Sequence, residues 1–204
     1  SSQSQTIGNL ISFDDDGPSV TVALYGAGSV KSDETTDLGA TQTAAAAAVN
    51  ITALTGEDNE GATTNVELTI DSAASGLTTT DGKAITLVEG ATDNEVLGKY
   101  DSNGDTTLDA TAFSVSVSDA GVLSVTQYDS LAHPDSPNNY DETLDLAGKL
   151  SVKVTVTDGD LDVSSQSQTI GNLISFDDDG PSLGSFMEGT IPNEVGSITG
   201  LFDI

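Results

Sequence analysis

The sequence predicts an all-β fold, an antiparallel β-sandwich, and two observations carry that prediction. Apolar and polar residues alternate strictly over several short segments. Between those segments lie clusters of Gly, Asn, Asp and Ser. Period-two alternation with β-branched enrichment describes strands with one buried face, and turn-forming clusters at regular spacing describe the hairpins that join them.

In "KLSVKVTVTDG", Leu150, Val152, Val154 and Val156 face one way, and Ser151, Lys153, Thr155 and Thr157 the other. "AFSVSVS" alternates through Phe113, Val115 and Val117, and "NVELTID" through Val66, Leu68 and Ile70. Further strands are predicted at 20–25, 84–90, 95–100, 122–128 and 163–170. The turns between them are "TGEDNEG", "TTDGK", "DSNGD", "SDAG", "HPDSPNN" and "DGDLD". Gly and Asn there supply positive φ, and Asp caps the turn with its own side chain. Strands at this spacing suit an immunoglobulin-like sandwich. The alanine run in "LGATQTAAAAAV" favours helix by composition. It lacks a capping pair and is flanked by Thr and Val, so it reads as a loop running into a strand.

The chain repeats part of itself. "SSQSQTIGNLISFDDDGPS" fills residues 1–19 and returns unchanged at 164–182. Fixed-period identity marks a repeat array, in which each unit touches mainly its neighbours. The reading that follows divides the chain into the tail strand and linker of a preceding repeat (1–19), a sandwich module (20–182), and the start of a divergent next module (183–204). Ser1–Ile11 are expected to contact the module little, with Gly17, Pro18 and Ser19 forming its entry.

Charge narrows the partners. Asp and Glu number 33 against 5 Lys and Arg, a formal net charge of −28. Nucleic acid and anionic membrane surfaces are excluded, because both need clustered basic residues. No apolar run approaches the roughly 20 residues of a membrane span. Disorder is the competing outcome for so acidic a chain, and the patterned apolar residues argue against it. With no cysteine, disulfides and thiolate metal sites are absent. Cations are the natural counterpart: two carboxylates about 4 Å apart repel by roughly 4 kcal/mol at an effective dielectric near 20. A shared divalent ion reverses that sign.

Three clusters offer the hard oxygen donors that calcium takes, roughly six to eight at about 2.3–2.6 Å. "DSNGDTTLD" presents Asp101, Asn103, Asp105 and Asp109. It departs from an EF-hand loop, since glycine comes one place early at Gly104 and the twelfth position is Ala112. "DGDLD" presents Asp158, Asp160 and Asp162 on alternate residues, which share a face where the chain is extended. "FDDDGPS" presents Asp14, Asp15 and Asp16, and again Asp177, Asp178 and Asp179, at each module boundary. Consecutive residues diverge, so at most two per run, Asp14 with Asp16 and Asp177 with Asp179, are expected on an ion that would stiffen the joint. Against these stand plain readings: a solvated Asx-rich turn for the first cluster and an acidic linker for the last.

Taken together, "VKVTVTDGDLD", "SSQSQTIGNLISFDDDGPS", "LAHPDSPNNYDETLDLAG" and "VKSDETTDLG" resemble the long repeats of giant RTX-type adhesins of Gram-negative bacteria. The likeness covers most of residues 20–182. Leu161 stands where the commoner form has glycine, which narrows backbone freedom but keeps the carboxylates. The resemblance implies a calcium-stabilised sandwich exported by type I secretion, folding outside the cell at the bacterial surface. It implies a role in cell adhesion and biofilm formation, as an extender held rigid between neighbouring modules. A second role it implies is ligand capture near the adhesin tip, of peptide C-termini or glycans on a host or partner cell. Tyr128, His133, Asn138 and Tyr140 form the amphipathic, adaptable mixture such capture needs; the plain reading is a Pro-braced surface loop. An enzyme is not expected. His133 is the sole histidine, and abundance of Ser and Asp is not triad geometry.

Overall fold

The computed structural model describes residues 1–134 and 142–179. It is a β-sandwich almost without helix. In chain order come β1 (Ser19–Leu24), β2 (Val30–Asp33), the short helix α1 (Glu34–Asp37), β3 (Thr41–Thr43), β4 (Val49–Leu54) and β5 (Thr63–Ile70). Then follow β6 (Ala74–Thr78), β7 (Ala84–Glu89), β8 (Glu95–Tyr100), β9 (Ala110–Val117) and β10 (Leu123–Gln127). The last four are β11 (Thr143–Asp145), β12 (Leu150–Thr157), β13 (Val163–Thr169) and β14 (Ile174–Asp177).

A six-stranded sheet, ordered β3-β10-β9-β8-β7-β6, packs against β5 of the sheet β13-β12-β5 and against the sheet β11-β14-β2; β1 and β4 form a pair of their own. The alternating segments behave as their pattern dictates. Leu150, Val152, Val154 and Val156 are fully buried, and so are Val115 and Phe113. Each such side chain contributes about 1.5–3 kcal/mol of transfer free energy. Phe113 on β9 meets Phe176 on β14 with ring centroids 4.8 Å apart, joining two sheets. Opposite Phe113 in the ladder stands Gly98, where any Cβ would lie 2.4 Å from the ring; glycine is what lets the phenyl group in.

The alanine run is no helix. Residues 44–48 link β3 to β4, with Ala44 and Ala48 buried. One pairing departs from the antiparallel expectation: β14 runs parallel to β2, with Ile174 beside Val30 and Asp177 beside Asp33. That pair is short and joins the two ends of the module, so no local pattern announces it.

The repeated segment takes two forms. At 164–179 it is β13, a 3-10 turn (Gly171–Leu173) and β14, with Ile170, Ile174 and Phe176 fully buried. At 1–17 every residue is exposed and only the 3-10 turn (Gly8–Leu10) forms. The turn is local and survives alone. The strands are not, and form only where partners stand beside them.

Candidate metal centre

The hairpin between β12 and β13 is the turn Asp158–Asp162. The Asp162 amide donates to Asp158 Oδ1 at 2.8 Å, and the Asp158 amide to the Asp162 carbonyl at 3.1 Å. This closes the turn and draws its carboxylates together. Asp158 is buried, Asp160 and Asp162 are exposed, and an oxygen of each lies within 4.8 Å of the others. Leu161 holds φ at +80°, the left-handed region, at the position where the resemblance expects glycine.

A second turn closes on the first. β5 pairs with β12 so that Thr63 faces Thr157, and the register carries residues before 63 against residues after 157. Gly159 accordingly donates its amide to the Asp58 carbonyl at 2.7 Å. Glu57, Asp58, Asn59, Glu60, Gly159 and Asp160 line the cleft, about 420 Å³ in volume. The linker supplies a third wall: Asp15, Asp58 and Asp160 bring carboxylate oxygens within 4.8 Å of one another. Asp16 Oδ2 accepts the Glu57 amide at 3.2 Å, fixing the linker beside the loop.

Crowding shows in the acidities. The Asp160 carboxyl is held above the usual carboxylate range, first by its hydrogen bond with Asp158, then by desolvation and the charge of Asp15. Asp162 is raised first by its hydrogen bond with Asp15 and by that residue's charge. Oxygens on opposite sides of a calcium ion with bonds near 2.4 Å stand about 4.8 Å apart. Two three-carboxylate groups, Asp158–Asp160–Asp162 and Asp15–Asp58–Asp160, therefore meet at Asp160 and offer hard oxygen donors of the kind a divalent cation takes.

The other predicted clusters are placed differently. In the loop between β8 and β9, Asp101 Oδ1 accepts the amides of Asn103, Gly104 and Asp105, and Oδ2 accepts that of Thr106 at 2.7 Å. Asp109 accepts from Ser102 and from Asn103 Nδ2, and Asp105 from the Thr107 amide. Desolvation works against ionisation at Asp101, yet its backbone donors together outweigh it and hold the carboxyl below the ordinary range. Asp105 is lowered, first by the Thr107 amide. These carboxylates are spent on their own loop, and among the described residues Asp101, Asp105 and Asp109 form no three-ligand group.

Asp14 is exposed and joins no such group, while Asp177 is occupied by Lys31 Nζ at 2.6 Å and Thr143 Oγ1 at 2.8 Å. Asp179 lies with Asp178 and Glu34. Of the outer aspartates only Asp179 joins such a group, and the middle aspartate of each run, Asp15 or Asp178, joins one as well. Asp58 was legible only as part of a turn, because its place depends on the β5–β12 register. Of the predicted recognition residues, Tyr128 is half exposed, with its hydroxyl 3.3 Å from Ser114 Oγ, and His133 is buried. Asn138 and Tyr140 lie outside the described residues, as does the segment 183–204.

A family model, described as "Domain of unknown function (DUF5801)", matches residues 29–171. No curated protein matches the chain, and no solved structure does.

Proposed function

The chain belongs to the DUF5801 family, and from that premise and its acidic turns we propose that it is a calcium-stiffened extender module of a bacterial surface adhesin. The observation that carries the reading is the convergence of linker and module. Asp15 of the linker meets Asp58 and Asp160 of the module, beside Asp158 and Asp162. A calcium ion held there by these carboxylates would neutralise their repulsion and tie the linker to the sandwich. A linker so tied loses its freedom to bend.

The repeat extends the argument. Asp178 is the counterpart of Asp15, and it faces Glu34, Glu142 and His133 of its own module. In tandem units one acidic run therefore answers to both the module behind it and the module ahead. An element that must bear load between units is served by such a joint. The family match over residues 29–171 covers most of the module, from β2 through β13, and leaves out β1, β14 and both acidic runs.

The test is a thermal melt with calcium and with chelator, beside small-angle scattering from two tandem copies. Ligands that bind only the native state stabilise it by mass action, and a melting point about 10 °C or more lower in chelator is expected. Scattering should be rod-like with calcium and that of a bent, variable chain without it. A melt indifferent to EDTA at moderate salt ends the calcium reading. A tandem pair equally stiff in both conditions ends the extender role.

A further inference from the structure

We infer that the chain carries a second, chemically different site: a buried cage of His133, Glu34, Glu142 and Asp178 that takes a divalent transition metal of the zinc class. Within this chain it shares no residue with the Asp15–Asp58–Asp160 and Asp158–Asp160–Asp162 groups, although Asp178 is the repeat counterpart of Asp15, and it does not rest on the calcium reading.

Sheet register builds three of its four corners. β14 pairs antiparallel with β11, Asp177 facing Thr143, and parallel with β2, Asp177 facing Asp33. One step further along, Asp178 falls between Glu142 and Glu34, and its amide donates to the Glu142 carbonyl at 3.1 Å. Asp33 caps α1 by accepting the Thr35 amide at 2.9 Å, and within that first turn Glu34 is buried. Like charges on one rung of a sheet repel. Three acids meet here, and Lys31 is engaged by Asp177.

The fourth corner is His133, from the loop after β10. Its ligand atom lies within 4.8 Å of those of Glu142 and Asp178, and its Nε2 is 3.8 Å from Glu34 Oε1 and 4.0 Å from Asp178 Oδ1. These separations are too long for hydrogen bonds. They lie near the edge of a tetrahedral shell, about 3.4 Å for bonds near 2.1 Å. His133 is 7% exposed and Glu142 9%. Neither ring nitrogen and neither Glu142 oxygen has a hydrogen-bond partner among the described residues. A protonated imidazole would donate both N–H groups, and a buried carboxylate would find donors; here both lack them. Glu34, by contrast, is already held in place, Oε1 accepting from Gln127 Nε2 at 2.6 Å and the Leu131 amide at 2.7 Å. That is the outer-shell support metal ligands receive. His133, Glu142 and Asp178 are thus the primary ligands, and Glu34 is a flanking carboxylate with only Oε2 left for a metal. The imidazole selects the metal class: calcium takes oxygen donors, whereas imidazole with carboxylates suits zinc and its neighbours.

His133 is the sole histidine, so its ring signals in a long-range proton–nitrogen NMR spectrum need no assignment. The experiment uses the full untagged chain in calcium buffer, with one equivalent of Zn²⁺ and, separately, of Co²⁺. One ring nitrogen should move to the metal-bound range with zinc, and cobalt should give visible d–d absorption. Hundredfold excess calcium should reverse neither. Glu142→Gln should weaken zinc binding at least tenfold, as loss of a ligand does. Imidazole signals unmoved by one equivalent of either metal in the wild type overturn the site whatever the variant does. Zinc displaced by calcium overturns the metal class. Either failure leaves the calcium-dependent melt standing, and the reverse holds too.

Discussion

Gly159 donates its backbone amide to the carbonyl of Asp58 across 2.7 Å, and this bond locks the β12–β13 turn against the loop that precedes β5. The two turns are far apart in sequence, and each alone is an acidic bend. Joined, they become the two walls of one cleft, with Asp15 of the linker on the third side.

The first prediction concerns that joint. A Cβ at residue 159 would lie 2.5 Å from the Glu60 carbonyl oxygen and 3.0 Å from that of Asp58, both backbone atoms that cannot swing aside. Gly159→Ala should push the two turns apart. Calcium titration followed by melting should show a markedly smaller calcium-induced rise than the wild type, while the far-ultraviolet circular dichroism stays that of a β protein. A full calcium response in the variant would mean the turns act separately.

Asp160 supplies a prediction with a change of sign. Its folded carboxyl is raised above 3.8, the ordinary value. A raised carboxyl contributes stability that is present below the unfolded value and is lost as pH rises through the folded one. At neutral pH without metal, the ionised group therefore works against the fold. Asp160→Asn should melt a few degrees higher than the wild type in EDTA at pH 7, and the gain should vanish on acidification below about pH 4. With calcium the order should invert, because the variant has lost an anionic donor. Identical ordering in both buffers would separate Asp160 from metal binding.

Leu161 holds a left-handed backbone with a side chain 76% exposed, so it has strain without packing in return. The strain is about 1–2 kcal/mol for an L-residue, and glycine's extra freedom when unfolded cancels about 0.5–1 kcal/mol of any relief. Leu161→Gly should stabilise the chain by about 0.5–1 kcal/mol in denaturant titration. Destabilisation would show that the exposed leucine has a contact of its own.

What the sequence made legible follows from how local each signal is. The alternating strands β5, β9 and β12 could be read because burial of one face writes itself into neighbouring residues. β2 and β14 could not, being short and held by partners distant in the chain, and β6 could not because it is short and its pairing with β7 shifts register. The same divide runs through the site. Asp158, Asp160 and Asp162 share one turn and were readable together; Asp58 and Asp15 join them through pairing register and linker path. His133 read as a surface residue because its neighbours are turn formers, whereas its ring is enclosed by elements from both ends of the module.

The duplicated segment offers a control that few proteins contain. Phe13 and Phe176 are the same residue of identical nineteen-residue sequences, one 94% exposed and the other fully buried against Phe113. Local sequence is held constant, so any difference between them measures tertiary context alone. Phe176→Ala should cost about 3–5 kcal/mol, the range for emptying a buried phenyl site. Phe13→Ala should change stability by no more than about 0.5 kcal/mol, as surface substitutions do. Equal losses in urea unfolding would mean that the segment around Phe13 packs on the module as the one around Phe176 does.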